Sequence, residues 1–536
     1  MIWPVRILAC FGVAACCFAQ DVSRMDQVVQ SYVSEKKFMG SVLVARGDET
    51  LFSKGYGSAN LEWNIPNSPN TKFRLGSVTK QFTAAAILLL DERGKLKIDD
   101  LVRKFVPDAP AAWDKITLYH LLTHTSGIPN FTNFPDYRSQ EPFPATPEQL
   151  VARFRDKPLD FQPGEKWSYS NSGYVLLGYV LEKASGESYQ AFLQKNIFDP
   201  LGMKDSGYDS NSAVIKSRAS GYAPSDNGGF PLNAGFIHMS IPFSAGALYS
   251  TTEDLLKWER GLFGGKVLSL ASLAKMTTPF KEDYACGVSV RTIKGHKVID
   301  HGGGIEGFTT FLAYYPESKT TVISLSNIGG PAPQEMTPLL AAIAQGETVE
   351  LPSERKVITV APEVLKGYVG TYQMAPQMNM MVRLTDGQLT AQLSGQGSLP
   401  LFAKSESVFF PKLVNAEIEF GKDYLVLHQG GHDQKALRTS ETVIEKKEVA
   451  VPISVLQRYV GIYELHPGFE LVVTLEGNQL ITQTAGQSKI PLFAESETRF
   501  FPKVMDAEIE FFTDANGAVS HLVLHQGSTE MKGTRK

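Results

Sequence analysis

Three short stretches of this chain hold residue types that could together make and activate a nucleophile. Ser77 and Lys80 stand three apart, just ahead of the apolar run Ala84-Ala85-Ala86-Ile87-Leu88-Leu89-Leu90, which Gly94 ends. Helical spacing puts both side chains on one face at a helix N-terminus, where unpaired N–H groups and the positive dipole end favour negative charge on a bound carbonyl oxygen. A lysine takes a proton from serine only when its ammonium form is disfavoured, and burial beside an apolar helix does that. Ser-x-x-Lys occurs four times, also at Ser34/Lys37, Ser272/Lys275 and Ser353/Lys356, but only the pair at 77 and 80 opens a long, nearly uncharged helix.

The second stretch, Tyr169-Ser170-Asn171, leads into another apolar helix and is the one Tyr-x-Asn in the chain. Tyr169 is a candidate proton relay between Ser77 and a leaving group, and Asn171 a candidate holder of a substrate amide or of Lys80. The bland alternative is a buried aromatic and a helix cap. The third stretch is His301-Gly302-Gly303-Gly304, ahead of a strand-like run over 309–315. Gly303 and Gly304 would let substrate lie against a strand edge, with a backbone N–H there completing an oxyanion hole. His301 is a candidate for orienting substrate, with a charge change between about pH 5 and 8 if its pKa is ordinary. Gly302-x-Gly304-x-x-Gly307 also fits a dinucleotide fingerprint, but no helix is predicted after it. His120 and His124 stand four apart without the glutamate or third ligand of a metal site, so packing and hydrogen bonding near the site are expected of them and no metal or cofactor is implied. No Gly-x-Ser-x-Gly elbow occurs, which argues against an α/β-hydrolase.

Elements of two kinds must position these groups. A helix-like stretch at 25–36 precedes two strand-like runs, Gly40 to Arg46 and Leu51 to Gly57, that read as a hairpin across Gly47-Asp48. Helices follow, and strand-like runs return at 284–292, 309–315 and 320–325. Strands at both ends with helices between predict an α+β unit over 21–345, one antiparallel sheet packed against a helical region. Beyond it the chain repeats itself. Lys366-Gly367-Tyr368-Val369-Gly370 and Gln457-Arg458-Tyr459-Val460-Gly461 lie 91 positions apart, as do Pro400-Leu401-Phe402-Ala403 and Pro491-Leu492-Phe493-Ala494. Short runs rich in Val, Ile, Leu, Thr and Phe, broken by turns such as Asp386-Gly387, predict two small antiparallel β-barrels over 353–440 and 450–536.

Composition narrows the ligand. A chain of 536 residues with a formal net charge of −4 offers no electrostatic case for nucleic acid or an anionic membrane surface, leaving a small molecule or peptide. Arg6, an apolar run from Ile7 to Phe18 and Ala19 have the pattern of a secretory signal over 1–19; Val13-Ala14-Ala15-Cys16 alternatively reads as a lipoprotein box with Cys16 lipid-bearing. Either way export to the periplasm or the medium is expected. The apolar run is short of the ~20 residues of a bilayer span, and no later segment is long enough for one. Cleavage after Ala19 removes Cys10, Cys16 and Cys17 and leaves Cys286 with no partner for a disulfide.

In that order, Ser77-Val78-Thr79-Lys80, Tyr169-Ser170-Asn171 and His301-Gly302-Gly303 resemble the three motifs of the serine β-lactamase and penicillin-binding protein superfamily. Leu121-Leu122-Thr123-His124-Thr125-Ser126-Gly127 and Ser244-Ala245-Gly246 support the resemblance, which covers about residues 21–345. It implies acylation of Ser77, base and acid roles shared by Lys80 and Tyr169, an oxyanion hole from the backbone of Ser77 and Gly304, and release by water. It also implies possible acylation by β-lactams. Where many relatives carry lysine this chain has His301, as esterase-like and aminopeptidase-like members do, and a lysine would hold a substrate carboxylate more firmly. The repeats resemble lipocalin-like domains attached to such hydrolases, including D-stereospecific aminopeptidases. Peptides, amides or esters, especially of D-amino acids, are therefore the expected substrates, with esterase, weak β-lactamase or slow penicillin sensor as alternatives.

Overall fold

The computed structural model describes residues 8–536 apart from 226–228, 352–353, 376–377, 395, 413, 415, 430–431, 444–447, 467–468, 485–488, 503–506, 515–516 and 527–528. Contacts divide the chain into two compact units, Met1–Val349 and Glu350–Lys536.

In the first unit helix α1 (Leu8–Ser34) precedes a hairpin of β1 (Gly40–Arg46) and β2 (Glu49–Tyr56), turning at Gly47 with φ +58°. The helices that matter for the site are α2 (Thr79–Glu92), α3 (Leu118–Leu122), α4 (Asn171–Ser185), α5 (Phe243–Gly246) and α6 (Thr252–Phe263). The chain then returns through β3 (Ser289–Ile293), β4 (His296–Ile305), β5 (Phe308–Tyr315) and β6 (Thr320–Ser326), and α7 (Ala332–Ala344) packs beside α1. The sheet is ordered β3-β4-β5-β6-β1-β2, antiparallel throughout, so both parts of the chain supply it. This is the expected α+β architecture. Its core is continuous from the sheet into the helices: Phe82 stacks on Trp258 at 4.1 Å, and Thr79 to Asp91 of α2 are buried all round. Helix α2 stops where the sequence places its end, with Gly94 at φ +68° and the Lys95 amide returning to the Leu90 carbonyl.

Two details differ from the sequence reading. The glycine run stands before a strand, β5, as expected, but is itself part of β4, pairing with β5 from Gly302↔Phe311 to Gly304↔Thr309. Glycine lowers strand propensity, yet the ladder needs only backbone groups, and β5 supplies them. Conversely the strand expected over 284–292 begins only at Ser289, because Gly287 takes φ +75° to bring the backbone against the Lys80 carbonyl.

In the second unit two closed antiparallel barrels of eight strands follow one another, from Gly370–Ala375 to His432–Ser440 and from Gly461–His466 to Thr529–Arg535. The repeat is visible in their cores. The Tyr372 hydroxyl donates to the Tyr368 carbonyl at 3.0 Å and that of Tyr463 to the Tyr459 carbonyl at 2.8 Å, while Tyr368 stacks on Phe420 and Tyr459 on Phe511. No helix among the described residues is long and apolar enough to cross a membrane. Residues 1–7 and the side chains of 8–20, where the export signal is expected, lie outside the described ones.

One core residue makes stability depend on pH. Glu259 of α6 is 3% exposed, its Oε2 has no hydrogen-bond partner among the described residues, and burial raises its pKa to about 8. The native carboxyl keeps its proton up to that pH, whereas an unfolded glutamate loses it at ~4.3. Stability from this group is therefore full below the unfolded value and falls as pH rises to about 8. Thermal unfolding of Glu259→Gln should show a smaller loss of Tm between pH 5 and 8 than the parent, and a higher Tm at pH 8.

Candidate active site

Ser77 lies in a short turn, Gly76–Val78, that runs directly into α2. The turn exists because residue 76 is glycine: its φ is +53°, and a Cβ there would stand 2.9 Å from the nitrogen and the oxygen of Gly304. Strand β4 thus passes close behind the turn and brings the Gly304 peptide beside Ser77. At Gly303 a Cβ would meet the Leu75 carbonyl at 2.0 Å, whereas at Gly304 it would meet nothing within 4 Å. Gly304 lines the cleft; Gly303, expected to contact substrate, faces the protein and serves close packing instead.

Lys80 is wholly buried. Its Nζ lies 3.0 Å from Ser77 Oγ, 2.8 Å from Asn171 Oδ1 and 2.9 Å from the Ala245 carbonyl, with the Tyr169 ring centroid 4.8 Å away. None of the three oxygens belongs to a carboxylate, so nothing offsets the cost of burying an ammonium, and the pKa falls well below the ordinary value. Nζ donates to Asn171 and Ala245, and in the uncharged form that burial favours its lone pair can turn to the Ser77 hydroxyl. Asn171 is itself held: its Nδ2 donates to Thr132 Oγ1 at 3.3 Å and its backbone N–H to Asn130 Oδ1 at 3.0 Å. It opens α4 without capping it through its side chain. Tyr169 is hydrogen-bonded to Ser77, and burial raises its pKa above the usual phenol value, so the phenol is protonated at neutral pH. Ser77, Lys80, Tyr169, Asn171 and Gly304 therefore converge.

His301 requires a correction. It is 6% exposed, its Nδ1–H donates to the Gly302 carbonyl at 2.6 Å, and its Nε2 accepts from the Tyr284 hydroxyl at 3.0 Å. Burial and, next, the charge of Lys80 push its pKa down to about 3. The ring stays neutral between pH 5 and 8 and is not among the residues lining the cleft. Spacing alone could not show that the strand turns this side chain behind Lys80.

His124 packs and hydrogen-bonds beside the site, as expected, and its place is defined. The Ser168 N–H donates to its carbonyl at 2.9 Å, the Ser170 N–H to its Nδ1 at 3.2 Å, and its ring lies 4.3 Å from that of Tyr169. The residue before and the residue after Tyr169 are thus tied to one histidine. Accepting at Nδ1 leaves the ring proton on Nε2, which is buried with no hydrogen-bond partner among the described residues, in a ring enclosed by Trp167, Tyr169, Tyr174 and Tyr284. The residue adopts φ +56°, uncommon outside glycine. His120 points elsewhere, accepting from the Thr117 N–H in a helix cap, so the two histidines form no common site. The signal was in the sequence: His124 lies within the stretch that supports the family resemblance.

A sheet built from both parts of a chain, helices packed on it, and a serine beside a buried lysine and a tyrosine define a class of acyl-transferring hydrolase. Comparison with known proteins gives the family. The Beta-lactamase family model matches residues 25–345, and a second model, described as a domain of unknown function (DUF3471), matches 354–424 and 445–535. The chain belongs to the β-lactamase and penicillin-binding protein family and is a serine hydrolase. It is 30% identical over 435 residues to Penicillin-binding protein 4* of Bacillus subtilis, covering 75% of this chain and 95% of that one. Among solved structures, the octameric penicillin-binding protein homologue of Pyrococcus abyssi matches with a TM-score of 0.58 at 28% identity, over 78% of this chain and all of that one. A D-stereospecific amidohydrolase from Streptomyces matches with a TM-score of 0.51 at 26% identity, over 59% of this chain and 98% of its own.

If His124 holds Tyr169 in place, His124→Ala should lower kcat on a small ester by roughly 10–100-fold with little change in KM, because the substrate's own contacts remain. His124→Asn keeps an acceptor near the Ser170 N–H and tolerates the positive φ, so it should recover most of the loss. Steady-state kinetics on the three proteins decides this; equal damage from both replacements would mean that the ring acts only as core.

Proposed function

We propose that this chain is an exported hydrolase that cleaves amide or ester bonds of small substrates built from D-amino acids, through an acyl-enzyme on Ser77. The observation that carries the reading is the buried amine of Lys80, 3.0 Å from Ser77 Oγ with no carboxylate among its hydrogen-bond partners, a burial that lowers its pKa. Lys80 takes the hydroxyl proton as Oγ attacks the carbonyl carbon. The N–H groups of Ser77 and Gly304 stabilise the resulting oxyanion. Tyr169, protonated at neutral pH, passes a proton to the leaving group as the bond to it breaks, and water then attacks the acyl ester with the same groups as base and acid. Asn171 keeps Lys80 aligned and offers its amide to the substrate. The preference for D-amino acids draws on the similarity to a D-stereospecific amidohydrolase.

A fluorophosphonate, or a labelled penicillin, should leave its mass on the peptide carrying Ser77, and Ser77→Ala should remove the label. Lys80→Met should slow hydrolysis of p-nitrophenyl acetate by roughly 10²–10⁴-fold, the usual worth of a positioned base. Because the neutral amine is the active form, the rate should rise with pH along a limb set by Lys80 and show no inflection from His301, whose pKa is about 3. A His301-dependent inflection between pH 5 and 8 would overturn that assignment. Faster cleavage of L- than D-aminoacyl amides would overturn the stereochemical part.

Export rests on the pattern of residues 1–19. Intact mass of protein recovered from the producing cells should begin at Gln20, or at a lipid-modified Cys16, and a mature chain that keeps Met1 would exclude both.

A further inference from the structure

The cleft at Ser77 has a volume of about 190 Å³, and two of its lining residues, Phe131 and Tyr137, also line a larger cavity of about 410 Å³. The two spaces are therefore neighbours. The cleft itself offers an anionic group nothing to pair with. Glu306 is its one charged lining residue, the nearby Arg138 is engaged by Glu306 and Glu141, and His301 is neutral and turned inward. The second cavity differs in charge: Arg153 and Lys157 line it, with Phe134, Pro135 and Asp136, and no residue of β4 does. Two cations against the single carboxylate of Asp136 leave it net positive.

Neither cation is engaged by the protein. Among the described residues the Arg153 and Lys157 side chains make no hydrogen bond and no ion pair, whereas every other described arginine of the first unit has such a partner. Both charges are placed at the cavity by their contacts with its rings. Lys157 Nζ stands 5.6 Å from the Phe134 centroid; burial raises the Tyr137 pKa, and the charge of Arg153 is near enough to act against it. Arg153 is half-buried, so its guanidinium has given up part of its water without a partner in exchange, and an anion meeting its planar fork with paired hydrogen bonds makes good that loss. Its position is fixed as well. The helix Pro147–Arg155 begins in reciprocal hydrogen bonds between Thr146 and Gln149 and buries Leu150, Val151 and Phe154. Phe154 stacks on Trp113 at 6.2 Å and meets Phe131 at 6.3 Å, and the Phe131 N–H donates to Ser172 Oγ at 2.9 Å, one residue after Asn171. The cavity is thus tied to the elements that hold Lys80.

We propose that the second cavity is a subsite for an anionic group, a carboxylate or a phosphate, that the substrate carries at a distance from the bond Ser77 attacks, with Arg153 as its main contact and Lys157 as the second. The proposal rests on the cleft at Ser77 being the reacting site. Charge recognition is thereby moved from β4, where His301 carries no charge, to the helix Pro147–Arg155. The anion takes no part in the bond changes; it anchors the far end of a substrate that passes Phe131 and Tyr137.

The test uses the full chain and competition against p-nitrophenyl acetate at pH 7, where carboxylates, lysine and arginine are all charged. One series of competitors is D-alaninamide acylated on nitrogen with succinyl, glutaryl or adipoyl groups; a second is N-acetyl-D-alanine joined to glycine, β-alanine or γ-aminobutyrate, so that tails on both sides of the reacting bond are covered. Each is paired with a twin whose terminal carboxylate is a carboxamide. At one or more lengths the carboxylate should compete at concentrations about tenfold below its twin, the step expected for a charge-assisted contact, and salt at about 0.5 M should reduce that advantage. In Arg153→Gln the advantage should fall to about threefold or less, while Arg155→Gln, on the same helix but paired with Asp108, should keep it. Taking the ratio of the twins within each protein cancels any change in basal rate. No advantage at any length in the parent, or an undiminished one in Arg153→Gln, would overturn the proposal. Inorganic phosphate that erased the advantage at concentrations no higher than those of the linked carboxylates would assign the cavity to a free anion and overturn it too. Should the ester not be hydrolysed and Ser77 not be labelled, the acyl-enzyme reading fails by itself. Calorimetric titration of the same twins into the parent and Arg153→Gln then still reads the cavity, with no preference for the carboxylates counting against it.

Discussion

The site depends on one constraint: an amine is buried without an anion. Lys80 sits on a helix that is buried all round, and its three polar neighbours are a hydroxyl, a side-chain amide and a backbone carbonyl. Had one of these been a carboxylate, the ammonium would be stabilised and the lysine would be no base. Keeping all three uncharged takes contributions from distant parts of the chain. Ala245 comes from α5, Asn171 from the start of α4, and Ser77 from the turn that β4 presses against.

Close backbone approach is how that convergence is achieved. Gly76 admits the Gly304 peptide, Gly303 admits the Leu75 carbonyl, and Gly287 admits the carbonyl of Lys80 itself. Each is a place where a Cβ would overlap main-chain atoms rather than the end of a flexible side chain, so relaxation would have to move a strand or a helix. The sheet gives this arrangement its stiffness. β4 lies between β3 and β5, and pairing on both sides fixes where the glycines fall.

The electrostatics of the cleft follow from the same burial. A histidine enclosed near Lys80 loses its charge, and a carboxylate at the end of the same strand keeps one oxygen unpaired. Glu306, five positions after His301, lines the cleft, and the residue that the motif puts forward does not. His124 shows the same logic applied to geometry: a neutral ring braces the two residues that flank Tyr169.

By itself the sequence determined which side chains the site brings together and the order of parts. Ser77, Lys80, Tyr169 and Asn171 were legible because helical spacing and apolar context are local properties, and the two barrels because a repeat of 91 positions is written in the chain. The α+β class followed from period and turn signals. Only tertiary structure decided which way side chains face once strands and helices from distant segments meet. It turned His301 inward against Tyr284, assigned Gly303 to packing and Gly304 to the cleft, and brought Glu306 to the cleft that Ser77 lines. The reason is physical: a pKa, an unpaired oxygen and an open side of a glycine are set by neighbours hundreds of residues away, and no spacing along the chain encodes them.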